Sequence, residues 1–281
     1  MRRRRFLVVC FAVLFAALGI YWWQHFRGPV PPTEIYQGIT YGCERLDADD
    51  EGSGLVHWVR VDLTAPGIEL YVTPLDEEAV ERGWQYRLQY TATVLKQEQL
   101  AVATNAVYFT SDSRWIRWAG DFARSDEATI ANYVVSHVPP STYMLCFDEH
   151  LASQIERSWP PKDSTAPRFR WGLGDQGGPM LWHGQLYKDT PRTPIDARTA
   201  VGIDREKRLL FLAVFERASM RRALEKLAQL GAVDGMLLDG GTSTTMSLGK
   251  KADGIRSGVL LGGWRPVATH FGVRARELVT K

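Results

Sequence analysis

The chain has 281 residues, 45% of them hydrophobic and 23% charged, a balance ordinary for a packed globular domain. A chain of this size can bury a large core without a metal or a disulfide. Five of its 34 basic residues, Arg2 to Arg5 and Arg27, precede the first acid, Glu34, which leaves 29 bases against 32 acids and excludes a broad basic face for nucleic acid.

The first element is apolar. Arg2 to Arg5 lead into an uncharged run from Phe6 to Gln24. About 20 apolar residues span a bilayer as a helix. Tyr21, Trp22 and Trp23 stand at its far end, where aromatic rings favour the interface, and the arginines set an N-in orientation. Residues 1–27 therefore read as a single-pass membrane anchor with the domain outside the cytoplasm. A cleavable signal segment is the alternative. No small-x-small site precedes the bulky Tyr-Trp-Trp, which favours the uncleaved anchor. Val9 before Cys10 is not a small residue, which speaks against a lipid-modified cysteine. Residues 28–34, with Pro29, Pro31 and Pro32, read as a stiff linker, and 35–281 as the domain.

Leu55 to Leu63, the turn at Pro66-Gly67 and the alternation of Ile68, Leu70 and Val72 predict a hairpin. Gln89 to Gln97 reads as a short helix. Leu100 to Phe109 reads as an apolar strand interrupted by Asn105. Residues 158–167 hold three prolines and read as a rim loop. Strands resume at Phe169 to Leu173 and Met180 to Trp182, with Gly177-Gly178 between them, and Arg198 to Asp204 pairs with Leu209 to Phe215. Ser219 caps a helix on which Met220, Ala223, Leu224, Leu227 and Leu230 share one face, stopped by Gly231. Met236 to Leu238 is a buried strand, followed by the loop from Asp239, and Val267 to Val273 closes the chain. The fold class expected is α/β in the mixed α+β sense: one strand-rich domain with a twisted mixed sheet and few helices.

Cys43 and Cys146 suit either a disulfide or two buried free thiols. There is no C-x-x-C, and the six histidines show no metal-ligand spacing, so no cofactor is predicted, with a divalent metal left open.

Chemistry concentrates in four stretches. Asp239 follows an apolar strand and projects at a sheet edge, where open α/β sheets place ligands. Gly240 and Gly241 bare the backbone N–H groups, and Ser243, Thr244 and Thr245 add hydroxyls. A tight turn with local hydroxyl bonding is the plain alternative. Arg198 opens an apolar strand and has the planar fork that grips phosphate, or else makes a surface ion pair. Asn105 is an amide in an apolar run and needs partners, whether a ligand or the backbone at a bulge. Gln176 to Pro179 by itself says only turn.

In this order the stretches resemble the phosphodiester glycosidase family. The matching pieces are Thr104 to Phe109, Gly177 to Leu181, Arg198 to Asp204, Leu230 to Ala232, Leu238 to Thr244 and Arg265 to Ala268. The resemblance implies hydrolysis of the bond between a sugar's anomeric carbon and a phosphodiester. It implies a glycan or sugar-phosphodiester substrate in the envelope. Asp239, Arg198 and Asn105 become the catalytic candidates, and Thr199, Gly178, Gly240, Gly241, Ser243 and Thr244 the substrate-binding ones. Asp239 would serve as acid, base or stabiliser of an oxocarbenium-like state, and Arg198 would hold the phosphate. Asp204 and Glu216 are second-carboxylate candidates by position alone.

The sequence departs from the family pattern at four places. Ala106 and Val107 replace two glycines after the asparagine. Arg222 replaces a helix glutamate. Leu237 replaces an asparagine, and Thr242 a third loop glycine. These departures favour a rival reading, a non-catalytic envelope glycan-binding protein, whereas Arg198, Asp239 and Ser243 favour an enzyme. An ATP-dependent kinase-type phosphate loop also matches residues 239–244, but such loops open their chains and work where ATP is.

Overall fold

The computed structural model describes residues 28–113, 116–136, 141–159, 169–175, 180–187, 189–192, 194–249 and 258–278. The expected anchor 1–27, most of the rim loop and Gly178 lie outside them. Among the described residues no helix is long and apolar enough to cross a membrane.

In chain order, β1 (Val30–Tyr36), β2 (Ile39–Asp49), β3 (Gly52–Asp62) and β4 (Glu69–Val72) lead into helix α1 (Glu77–Glu81). Then come β5 (Tyr86–Arg87), α2 (Thr91–Gln97), β6 (Val102–Asn105), β7 (Phe109–Ser111), β8 (Phe122–Ser125), β9 (Thr129–Ala131) and β10 (Val134–Val135). The middle of the chain supplies β11 (Ser141–Phe147), β12 (Ser153–Trp159), β13 (Trp171–Asp175), β14 (Met180–Trp182) and β15 (Gln185–Leu186). The long pair β16 (Asp196–Asp204) and β17 (Leu209–Ala218) precedes α3 (Met220–Gln229), β18 (Asp234–Leu237), β19 (Met246–Leu248), β20 (Gly258–Leu261) and β21 (His270–Arg274).

The largest sheet runs β1-β2-β3-β17-β16-β18-β14-β15. Its central strands are apolar on both sides because both sides are covered. In β17, Leu210, Leu212 and Val214 face one core, while Phe211, Ala213 and Phe215 face another. Helix α3 covers the second face with Ala223, Leu224 and Leu227. Each buried leucine stabilises the docking by about 1.5–3 kcal/mol. The first face packs on a five-stranded sheet, β20-β19-β6-β21-β4, through Val102, Met246, Leu248, Phe271 and Val273. A second five-stranded sheet, β10-β9-β13-β11-β12, and a small one, β5-β8-β7, complete the domain.

The strand-rich, helix-poor character is as expected. The expected mixed sheet resolves into four sheets whose described ladders are antiparallel.

Several local expectations change. Residues 28–34 are not a free linker: Val30–Tyr36 is an edge strand on β2. Its prolines fall where the register shifts between Val30 and Thr33, a position that needs no ladder donor. The hairpin around Pro66-Gly67 does not form. Both edges of β3 are taken, by β2 and β17, so β4 crosses over and pairs with β21. The true hairpin partner of β3 is β2, which lacks a clean alternating pattern. Helix α3 starts as read, with Ser219 Oγ accepting from the Arg222 N–H at 2.9 Å, and Gly231 ends it at φ 112°. Cys43 and Cys146 are both buried free thiols.

Candidate active site

The candidate residues meet at the seam between the eight-stranded sheet and the five-stranded sheet that contains β6. Asn105 ends β6 in one sheet; Thr199 lies in β16 and Asp239 follows β18 in the other. Asn105, 1% exposed, spans the seam. Its Nδ2 donates to the Asp239 main-chain oxygen, and its Oδ1 accepts from Thr199 Oγ1 and from the Thr245 N–H. The Asp239 N–H donates to Ala106 O at 2.9 Å, and the Leu238 N–H to Thr199 O at 2.8 Å. The loop is thus tied to both sheets before any ligand arrives.

The Asp239 carboxyl accepts from the Ser243 hydroxyl and the Gly240 N–H. Burial still pushes it up to about 6, against those bonds and the charge of Arg117. Gly240 has extended backbone, φ −116° and ψ −161°, so its lack of a side chain matters for space. A Cβ there would sit 3.0 Å from Ala197 O and 3.5 Å from Arg198 Nη1. Gly241 is different: its φ of 58° is left-handed, and it opens the short 3-10 turn through Ser243. Thr244 is buried beside them, its Oγ1 without a hydrogen-bond partner among the described residues.

Arg198 is 7% exposed and partly committed. Its Nε donates to Ala218 O at 3.2 Å and its Nη2 to Pro194 O at 2.6 Å. The remaining nitrogen, Nη1, lies beside Gly240.

The two carboxylates expected by position are engaged elsewhere. Asp204 sits at the far end of β16 from Arg198, bonded to Lys207 Nζ at 2.9 Å. Glu216 Oε2 accepts from the Leu55 N–H at 2.8 Å and holds the β3–β17 irregularity. The site instead brings up Glu127, 4% exposed, in the turn between β8 and β9. Its carboxyl accepts from the Tyr108 N–H, while its Oε2 is buried without a hydrogen-bond partner among the described residues. Burial, then the charges of Asp126, Asp175 and Asp239, push it up to about 8.

Tyr108, 40% exposed, marks the mouth. Burial and Asp239 raise its phenol, and Arg198 lowers it, so the ring stands in the field of both groups. Among the described residues no three His, Cys, Asp or Glu are placed to hold a metal ion.

Comparison with known proteins matches the phosphodiester glycosidase family over residues 98–274. The chain belongs to the phosphodiester glycosidase family. The fold is similar to that of the catalytic domain of zebrafish N-acetylglucosamine-1-phosphodiester alpha-N-acetylglucosaminidase, a structure auto-inhibited by its pro-peptide. The two share 16% identity at a TM-score of 0.60, over 89% of this chain and 86% of that one. A hypothetical protein from Synechocystis matches at 15% identity and TM-score 0.52, over 85% of this chain and 62% of that one. A protein from Burkholderia pseudomallei matches at 10% identity and TM-score 0.51, over 79% and 74%. No curated protein matches by sequence.

In this member of the family most of the departures are packed around the site and closed to solvent. Ala106 and Val107, where the family has glycines, are buried in the core between the sheets. Leu237 packs in the core under α3. Arg222 lies in the first turn of α3, 3.4 Å from Asp49 Oδ2. Thr242 alone faces the site's surroundings, where Arg265 Nη1 donates to its hydroxyl.

Glu127 was beyond sequence reading. Asp126-Glu127 looks like a solvated turn between short strands, and no spacing links it to Asp239. The available signal was local: an acid directly before the fully buried run Ala128 to Ala131.

Proposed function

We propose that this chain hydrolyses the bond between an anomeric carbon and a phosphodiester in an envelope glycan, with Glu127 and Asp239 as the working pair. The observation that carries the reading is two buried carboxyls at one cleft, Asp239 on the loop that Asn105 ties to both sheets and Glu127 beside the open Tyr108, with burial raising the pKa of the first to about 6 and of the second to about 8. Two carboxyls whose environments push them apart divide naturally into acid and base. At neutral pH Glu127 holds its proton and Asp239 is mostly ionised.

Glu127 gives that proton to the bridging phosphate oxygen as the C–O bond breaks. That proton lets the phosphate monoester leave as a monoanion instead of a dianion, the form an acidic site releases more readily. Asp239 stabilises the oxocarbenium-like carbon or takes a proton from the attacking water. The products are the free sugar and the monoester. Arg198 Nη1, beside Gly240, and Arg117, which acts on Asp239, offset the charge leaving with the phosphate. Asn105 positions Asp239 and does no chemistry.

The envelope location rests on Arg2 to Arg5, the apolar run to Gln24 and its aromatic end. A reporter fused after Lys281 should work only outside the cytoplasm. The activity is tested with a panel of sugar-1-phosphodiesters. Free sugar should appear with the native chain and vanish with Asp239→Ala or Glu127→Ala that still folds. Saturable glycan binding without turnover would leave the non-catalytic reading standing instead.

A further inference from the structure

The start of β1 and the candidate site share one end of the eight-stranded sheet. Val30 pairs with Cys43, Cys43 with His57, His57 with Val214 and Val214 with Thr199, a continuous row across five strands. Four steps of about 4.8 Å put Val30 about 19 Å from Thr199. From that row β1 runs away from the site, to Tyr36 opposite Ile39. The chain therefore enters the domain at the sheet end that carries the Asp239 loop. Val30 is six residues past Gln24, the last of the uncharged run, a reach of at most about 20 Å. β3, with 11 residues, is about 36 Å long. A domain tethered through residues 6–24 thus has its site end nearer the bilayer than the β16–β17 turn at the opposite end.

The site end also bears the barest apolar surface. Among the described residues Trp264 at 69% and Ile116 and Trp118 at 61% are the most exposed large hydrophobic side chains. All three line one cleft of ≈ 470 Å³, together with Arg117, Arg265 and Thr242, and no acid lines it. Thr242 is three residues past Asp239. Apolar surface gathered in one exposed patch marks an interaction site. The two guanidiniums are set beside it in advance. Both lie over the Phe109 ring, Arg117 at 5.0 Å and Arg265 at 5.8 Å from its centroid, and Arg117 Nε donates to Ser111 Oγ at 3.0 Å.

We propose that this aromatic and basic face docks on an anionic phospholipid bilayer, the membrane that holds the N-terminal run, so that the candidate site opens at headgroup level. Indole rings favour the membrane interface, and guanidiniums pair with lipid phosphates. The short tether keeps lipid permanently within reach of this face, which no soluble partner matches. The inference rests on the anchor reading of residues 1–27 and is independent of the proposed hydrolysis.

The test places the full chain in lipid discs with a fluorophore on Ile116→Cys or on Lys207→Cys, whose lysine lies in the β16–β17 turn with its side chain 73% exposed. Cys10→Ser removes the thiol of the apolar run, and Cys43 and Cys146 are buried. The lipid carries a nitroxide quencher high on its acyl chain. In discs of phosphatidylcholine with phosphatidylglycerol, the label at 116 should lose most of its emission and the label at 207 almost none. In phosphatidylcholine alone the docking equilibrium should weaken by about thirtyfold, the weight of two arginines at an anionic surface. Trp118→Ala with Trp264→Ala changes only exposed side chains, so it should keep the unfolding temperature and bring quenching at 116 down to that at 207. Equal quenching at the two positions, quenching that survives the double variant, or no difference between the two lipids would each overturn the docking face and leave the anchor standing. A chain that does not enter the discs would overturn anchor and docking together. Sugar release is read separately and decides neither.

Discussion

Asn105 and Asp239 are 134 positions apart, yet Asn105 Nδ2 donates to the Asp239 main-chain oxygen at 2.6 Å. The same side chain accepts from Thr199 Oγ1 at 2.8 Å and from the Thr245 N–H at 3.0 Å. An amide has two donors and a two-lone-pair oxygen, and here three of those four capacities go to the protein itself. One residue therefore sets the position of the loop that carries Asp239. Of the two roles its sequence context leaves open, a ligand or the backbone, these bonds go to the backbone and a neighbouring hydroxyl.

Asn105→Ala should accordingly cost both stability and activity. It leaves a buried hydroxyl, N–H and carbonyl without partners, each worth about 1–3 kcal/mol of desolvation. Partial relaxation brings the expected loss to roughly 2–4 kcal/mol. Denaturant unfolding measures it. A loss below about 1 kcal/mol would mean that the Ala106 and Thr199 main-chain bonds hold the loop unaided.

The pH profile of sugar release follows from the two carboxyls. Asp239 must be ionised, which requires pH above about 6, and Glu127 must be protonated, which requires pH below about 8. A bell in kcat/KM between those limits is expected. Glu127→Gln should abolish the alkaline limb along with most of the rate. A rate that keeps rising above pH 8 would remove Glu127 from the acid role.

The sequence carried the part of this site that is continuous in the chain. The Arg198-Thr199 strand opening, the Asp239 to Ser243 loop and Asn105 are each a short run with unusual polarity, and the fold gathers them. Glu127 was hidden because its significance is its burial against Asp126, Asp175 and Asp239, which no local pattern reports. The same limit applied to the strands. The β16–β17 pair was legible because its partners are neighbours in sequence and both are continuous apolar runs. The β4–β21 pair was not: β4 is diverted by a crowded sheet edge some distance from its own residues.

Burial of Glu127 also predicts a pH-dependent stability. Its folded-state pKa is raised to about 8, above the ordinary carboxyl value, so the folded chain holds a proton that the unfolded chain has released. The stabilising protonated form is fully present below the unfolded value, and its benefit is lost as pH rises to about 8. Glu127→Gln removes that penalty. The variant should match the native chain near pH 4.5 and exceed it in unfolding free energy near pH 8, by on the order of a few kcal/mol. Equal stability of the two proteins at pH 8 would show that water reaches this carboxyl.

Arg222 stands where the family has a glutamate, three residues after the helix-capping Ser219. A glutamate at that position closes a capping box by reaching back to the Ser219 N–H. Here Ser219 has another partner: its N–H donates to Glu51 O at 2.6 Å and its hydroxyl to Glu51 Oε2 at 3.0 Å. Glu51 is itself held by Arg192 at 2.9 Å. A residue from the β2–β3 turn thus does the work of the missing glutamate, and Arg222 is free to pair with Asp49 at 3.4 Å. Arg222→Glu gains a favourable charge at the helix N-terminus and sets it against Asp49, so the two effects, each about 0.3–1 kcal/mol, should nearly cancel. Glu51→Ala keeps the main-chain bond to the Ser219 N–H but takes the acceptor from the buried Ser219 hydroxyl and the partner from Arg192, and should destabilise by about 1–3 kcal/mol. Thermal unfolding of both variants, with sugar release assayed alongside, separates the cases. If Arg222→Glu changes kcat while its unfolding is unaltered, the position acts on catalysis and the capping account fails.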